Sequence, residues 1–365
     1  MNIENGGSTM INYLKDLFSL SKRFNIVTED ILFIDINISG INVDINTDRI
    51  RFYVKLLFGH QGKYFCALQV RKDSKYHIKN SILYFENECI GEVSKFEIDF
   101  CDTYYMRRNG TVLNINPKSR INCKGCKFCY TSHQKYRNAI DLTVKDNLDN
   151  FFKDWMDTYN VRSLEKLYQI AIVSGCFPNE NTVVDFILRL NDKVKKLNFN
   201  GQIFYLGSQI QTFKALKKLS EISNFAYCIT LECFNDRDSF LKKSKSKFSV
   251  EQIKKVMKQS VELGYRTNFT YIVGLENLEK LQVGFMEFIQ YTNSFPIINI
   301  FQEHQYQVGL RDNDASNIDF YLKARKIIEN IYVKTNMRPQ MWEVCRSLWY
   351  TTFADEILRG QYLPE

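Results

Sequence analysis

Residues 167–197 read LYQIAIVSGCFPNENTVVDFILRLNDKVKKL: a short apolar, β-branched run ending at Ser174 and Gly175, a break containing Pro178, then apolar residues at helical spacing. The first part predicts a buried strand and the stretch from Thr182 a helix. The same unit recurs. QIFYLGSQ (202–209) precedes TFKALKKLSEI, AYCITLECF (226–234) precedes a helix beginning at Ser249, RTNFTYIVG (266–274) precedes LEKLQVGFMEFIQYT, and IINIFQEHQY (297–306) precedes IDFYLKARKIIENIYV. With one more strand in TVLNINPKSRIN (111–122), six β/α units result. Thr143-x-x-Asp146 and Ser249-x-x-Gln252 have capping-box spacing, and Gly264 stands where a glycine ends a helix. Alternating strands and helices specify a parallel sheet, either open and doubly wound or a barrel, complete or partial. In both, the loops at the strands' C-terminal ends carry function.

Upstream the pattern differs. Residues 8–22 predict a short helix, and to about residue 115 the runs ILFIDINI, RIRFYVKLLF, YFCALQV, SILYFE and FEIDF, separated by SGIN, GHQGK and ENECIG, predict antiparallel strands. The expected organisation is a β-rich N-terminal domain over 1–110, with a packing or substrate-presenting role, and a barrel over 111–365. The aromatic segment MRPQMWEVCRSLWYTTFADEIL (337–358) is expected to be a helical cap on the barrel.

A chain of 365 residues with 45% hydrophobic and 14% aromatic content can bury a large core, which excludes a disordered or fibrous protein. Its 49 Lys and Arg against 41 Asp and Glu leave +8, too small an excess to indicate nucleic acid. The N-terminus lacks signal-peptide features and no stretch approaches a membrane span, so a cytoplasmic location is expected. In such a reducing compartment clustered cysteines hold metal or do redox chemistry. Of ten cysteines, three are clustered: Cys123, Cys126 and Cys129.

Strand alternation adds a second signal. Cys228, Thr230 and Glu232 share one face of their strand, as do Asn268, Thr270 and Ile272 in the next, while the opposite faces are apolar. A polar inner face spanning neighbouring strands points to a ligand site, because a structural barrel interior is branched and apolar.

The cluster lies in Ile121-Asn122-Cys123-Lys124-Gly125-Cys126-Lys127-Phe128-Cys129-Tyr130, directly after the first barrel strand. Three thiolates this close bind a soft metal, zinc or an iron–sulfur cluster. No fourth ligand stands at zinc-finger spacing, since His133 is only three residues past Cys129 and Cys176 is distant. The loop resembles that of radical S-adenosylmethionine (SAM) enzymes, which place three cysteines after the first strand of a partial (β/α)6 TIM-like barrel, with an aromatic residue before the third. Phe128 fits; the first gap is two residues where the family commonly has three. Val173-Ser174-Gly175 is similar to the family's methionine-binding strand end, LECFNDR to its Glu-bearing strand, and Tyr271-Ile272-Val273-Gly274 to its adenine-side signature.

The resemblance implies a [4Fe–4S] cluster on Cys123, Cys126 and Cys129 that cleaves SAM to a 5′-deoxyadenosyl radical, which abstracts hydrogen from the substrate. It implies SAM contacts from Phe128, Ser174, Gly175, Thr230, Glu232, Ile272 and Gly274, a small-molecule or peptide substrate, and a reducing partner such as flavodoxin or ferredoxin. The rival readings are a zinc-stabilised binding protein and a non-catalytic iron–sulfur electron carrier. Lys242, Lys243, Lys245, Lys247, Lys254, Lys255 and Lys258 read as a solvated loop and helix face, ahead of a docking site for an acidic electron donor or a nucleic-acid surface. Without interleaved aromatics, nucleic acid is not expected there. Cys176 and Cys228 read as small buried residues, His304 as a rim histidine, and Cys345 as isolated.

Overall fold

The chain opens with two helices, α1 (Gly6–Phe24) and α2 (Thr28–Ser39). The computed structural model describes residues 6–358, except 61, 101–102, 119–122, 124, 133–139, 174–176 and 305, with backbone only for 6–14. Helix α2 contains ILFIDINI, expected as a strand. Its residues Ile31–Ile34 and Ile36–Ile38 are all buried and Gly40 ends it at φ 72. Burial on every side lets packing override β-propensity, as it does for helices that are apolar all round.

Strands β1 (Arg49–Leu56), β2 (Lys63–Gln69), β3 (Tyr76–Lys79), β4 (Ile82–Phe85) and β5 (Glu88–Ile98) form an antiparallel sheet in the order β2-β1-β5-β4-β3. Most of ENECIG, expected as a turn, belongs to β5, and the reversal sits at Glu86, φ 51. Gly91 is required there, because a Cβ would stand 2.9 Å from the Lys55 carbonyl oxygen.

The second sheet contains β6 (Tyr104–Arg107) and then all six expected strands. These are β7 (Val112–Ile115), β8 (Gln169–Val173), β9 (Gln202–Gly207), β10 (Phe225–Glu232), β11 (Arg266–Val273) and β12 (Ile297–Ile300). Between them run α3 (Lys145–Tyr159), α4 (Glu180–Lys195), α5 (Phe213–Lys218), the short α6 (Arg237–Phe240) and α7 (Lys243–Ser246), α8 (Val250–Glu262) and α9 (Leu278–Phe288); α10 (Ile318–Tyr332) follows β12. Strand order repeats chain order from β6 to β12, with β7 to β11 parallel and β6 antiparallel to β7. A doubly wound sheet reverses at a switch point; this one does not, so the fold is a partial (β/α)6 barrel preceded by a β-rich N-terminal sheet.

The Ser249 capping box forms with Gln252, and Gly264 ends α8 at φ 80. The Thr143 box does not. Asp141 accepts both the N–H and the hydroxyl of Thr143, so α3 starts after Val144 without a side-chain cap. Nor is 337–358 helical: after a turn at Met341–Glu343 it ends in a hairpin, β13 (Thr352–Phe353) and β14 (Glu356–Ile357). The N–H groups of Tyr350, Thr351 and Thr352 donate to the buried Asp30 carboxylate at 3.0, 2.7 and 3.3 Å, and this tertiary partner replaces helical acceptors.

Two compact units result. One joins Met1–Asp99, Ile272–Glu287 and Ile297–Glu365; the other joins Phe100–Tyr271 and Phe288–Pro296. In the first, fully buried Arg325 donates to Asp30 at 2.5 Å and to Glu329 at 2.8 Å. No helix among the described residues is long and apolar enough to cross a membrane.

Candidate functional site

Leaving β7, the chain makes an excursion closed at its base, where the Leu142 N–H donates to the Pro117 carbonyl at 2.7 Å and Lys118 pairs with Asp141 at 3.5 Å. The cysteines lie inside this loop. The Lys127 N–H donates to the Phe240 carbonyl at 2.9 Å, and the Cys129 N–H turns back to the Cys126 carbonyl at 3.1 Å. Gly125 adopts φ 112, and a Cβ there would meet the Lys242 Cβ at 2.9 Å. Only glycine tolerates both demands. The loop therefore lies against residues 240–242, between α6 and α7.

Each thiol meets a polar group. The Lys242 backbone N–H donates to Cys126 Sγ at 3.4 Å, the Lys242 ammonium to Cys123 Sγ at 3.6 Å, and Cys129 Sγ shares a hydrogen bond with Thr131 Oγ1 at 2.9 Å. Beyond them Lys245 donates to Glu232 Oε1 at 2.8 Å. Burial penalises the Lys245 ammonium, but Glu232 and the thiols of Cys126 and Cys129 outweigh it and hold its pKa above the ordinary value. Burial likewise raises the Cys126 thiol, against the opposing pull of Lys245 and the Lys242 N–H.

Glu232 ends β10 at φ 74, a left-handed conformation unusual for a non-glycine residue, past a register shift that begins at Ile229. Strain of this kind persists where the surroundings over-determine it. The cause is nearby: buried Arg237 donates to the carbonyls of Leu231, Cys233, Lys245 and Phe248 at 2.6, 3.1, 3.3 and 3.3 Å, binding the strand end to the segment that carries both lysines.

Several predicted positions take definite places. On β11, Phe269 and Tyr271 pack against Phe234, as the apolar outer face requires. Thr230 and Thr270 are buried, and the Thr270 hydroxyl has no hydrogen-bond partner. Asn268, expected on the ligand-facing side, donates to the Phe295 carbonyl at 2.8 Å and so has a structural partner. Phe128 lies in the loop, half-buried. Ile272 and Gly274 belong to the other unit, where Gly274, φ 108, leaves room for the Tyr321 hydroxyl 2.8 Å from where its Cβ would be. Ser174, Gly175, Cys176 and His133 lie outside the described residues. Cys228 is fully buried, His304 is buried and stacked on Tyr306, and Cys345 neighbours Cys66.

The lysine run corrects the sequence reading most. Lys242 and Lys245 face the cysteine loop, and Lys254 is buried over Phe288; Lys243, Lys247, Lys255 and Lys258 are exposed as expected. Sequence reasoning also missed Arg237. The available signal was the odd spacing: lysines one or two apart, between a strand end and the Ser249 cap, without apolar periodicity to fix a face.

Among the described residues no three His, Cys, Asp or Glu side chains converge as a single bound ion demands. A polynuclear cluster takes each thiolate on a different iron, so its thiols stand apart. Thiols surrounded by an N–H donor, a hydroxyl and two ammonium groups suit such an anionic centre.

No family model matches the chain, and no curated protein matches it in sequence. Among solved structures it is similar to coproporphyrinogen III oxidase (HemN) from Escherichia coli, described as a radical SAM enzyme, over 61% of this chain and 51% of that one, with 13% identity and a TM-score of 0.44. It is similar to SuiB from Streptococcus suis, solved with S-adenosylmethionine bound, over 58% and 46%, with 13% identity and a TM-score of 0.41. Pyruvate kinase from Pyrobaculum aerophilum is similar over 85% and 51%, with 9% identity and a TM-score of 0.26. The chain spans about half the length of each.

Proposed function

We propose that the chain is a radical SAM enzyme whose chemistry resides in residues 111–365. The observation that carries the reading is the cysteine loop itself: Cys123, Cys126 and Cys129 directly follow the first barrel strand and dock where Lys242 donates to two of their sulfurs, with the Lys245–Glu232 pair nearby. When bound there, a [4Fe–4S] cluster with one open iron supplies SAM chelation and the low-potential electron that releases a 5′-deoxyadenosyl radical. The chain's own part is to bind, orient and exclude water. Lys242 and Lys245 offset the charge of three thiolates, and Gly125 lets the loop approach them.

The SAM molecule is assigned to the strand ends. Its proposed contacts are Thr230 and Glu232 at the end of β10, with Glu232 held by Lys245, and Phe128 in the loop, together with Ser174, Gly175, Ile272 and Gly274 as the family resemblance implies. The idle Thr270 hydroxyl supports a ligand on this inner face, since a buried donor without a partner costs about 1–3 kcal/mol. The substrate of such a reaction would be a small molecule or peptide, with flavodoxin or ferredoxin as reductant.

The test is anaerobic purification and reconstitution, followed by iron and sulfide analysis and a turnover assay. Expected are acid-labile sulfide, charge-transfer absorption lost in the Cys126→Ala variant, and 5′-deoxyadenosine release with SAM and dithionite. Stoichiometric zinc without sulfide in the wild-type protein overturns the reading in favour of a zinc-stabilised binding protein. A cluster whose EPR signal ignores SAM indicates an electron carrier instead.

A further inference from the structure

Lys242 touches two of the three sulfurs by two different groups. Its backbone N–H donates to Cys126 Sγ at 3.4 Å and its ammonium to Cys123 Sγ at 3.6 Å. The contact is built from both sides. Gly125 admits Lys242 because it has no side chain, with 2.9 Å between the Lys242 Cβ and the position a Gly125 Cβ would take, and the adjacent Lys127–Phe240 backbone hydrogen bond holds loop and segment together. The segment is in turn held by Arg237 through the Lys245 and Phe248 carbonyls. Lys242 is half-buried, so water screens its ammonium less than it screens the exposed lysines of the same run.

We infer that Lys242 is a positioning residue that sets the reduction potential of the centre bound by Cys123, Cys126 and Cys129. The inference rests on the proposed cluster. Hydrogen bonds and positive charge at the sulfurs draw electron density from the thiolates and favour the reduced, more negative state of an iron–sulfur cluster. Taking away the ammonium leaves Cys123 with one donor fewer and makes reduction harder. The backbone donor to Cys126 survives any substitution, so the effect isolates the side chain.

The experiment compares wild-type, Lys242→Met and Lys242→Arg proteins, reconstituted under anaerobic conditions. For each, iron and sulfide per chain are measured, then the midpoint potential by EPR-monitored titration. The expected result is equal cluster content in all three, a midpoint shifted to more negative potential in Lys242→Met, and a midpoint close to wild type in Lys242→Arg. Equal midpoints at equal cluster content overturn the inference while leaving the proposed cluster standing. A wild-type protein that takes up no iron and sulfide overturns both. Loss of the cluster in Lys242→Met, with or without loss in Lys242→Arg, shows that Lys242 serves loop packing and cluster assembly and likewise overturns it.

Discussion

Lys245 Nζ and Glu232 Oε1 lie 2.8 Å apart, with 11% and 13% of their side-chain surfaces exposed. The pair joins the end of β10, where Glu232 is in a left-handed conformation, to α7, and it does so beside Cys126 and Cys129. A charge this deeply buried is tolerable only while its partner stays.

Replacing Lys245 by Met therefore leaves the Glu232 carboxylate uncompensated. The expected loss is about 3 kcal/mol, measured as a lower urea midpoint at unchanged slope. Adding Glu232→Gln is expected to recover most of it, because two neutral groups carry no stranded charge. Equal stability of the two variants would refute the pairing.

At Gly125, alanine has to adopt φ 112 and also displace Lys242. The backbone cost alone is about 1–3 kcal/mol, and it falls on the loop. Gly125→Ala is expected to lower iron content per chain far more than it lowers the thermal midpoint. An iron content equal to wild type would show that the close approach is dispensable.

Arg237→Leu removes the donor of four backbone carbonyls at once. Each hydrogen bond from a charged donor contributes about 1.5–3 kcal/mol, so losing four lets the segment relax rather than remain in place. Hydrogen exchange is expected to accelerate across 239–248 while β9 stays protected. Uniform acceleration throughout the chain would instead indicate global destabilisation.

In the other unit, Asp30 accepts from Arg325, from three consecutive backbone N–H groups and from the Thr351 and Thr352 hydroxyls. Asp30→Ala takes one of two carboxylate partners from the buried guanidinium and the acceptor from three backbone N–H groups, and is expected to cost about 3 kcal/mol, read by thermal denaturation. A change under about 1 kcal/mol would contradict the network.

Glu329 gives this network a pH dependence. Burial raises its pKa, but Arg325 and Lys326 outweigh burial and hold it below the usual carboxylate value. A depressed folded-state pKa contributes stability that is complete above the unfolded value, about 4.3, and is lost as pH falls through the folded one. Unfolding free energy is thus expected to drop between about pH 5 and the folded pKa, with a shallower drop in Glu329→Gln. A profile identical in both proteins would remove Glu329 from the account.

The barrel was legible because its strands are short apolar runs and its helices are amphipathic, two periodicities a linear chain displays openly. The same holds for the Ser249 cap, the Gly264 terminus and the cysteine loop, which depend on neighbours within a few residues. Reading failed where a distant residue decides. ILFIDINI has β-branched composition, yet it is helical because it is buried all round. Residues 337–358 have helix-like apolar spacing, but Asp30 captures their N–H groups. Thr143 has a cap's spacing, but Asp141 engages it first.

By itself, the sequence determined the order of strands and helices, the place of Cys123, Cys126 and Cys129 after the first barrel strand, and the polar face of β10. Local hydrogen bonding and side-chain period suffice for these. Only the tertiary structure decided that strand order never reverses, which segments make up each compact unit, and that Lys242 and Lys245 leave a run of lysines to face the sulfurs. Those facts depend on Gly125 meeting Lys242 and on Arg237 gathering four carbonyls. Such contacts lie far apart along the chain and follow no period, so burial and hydrogen-bond satisfaction in three dimensions had to choose them.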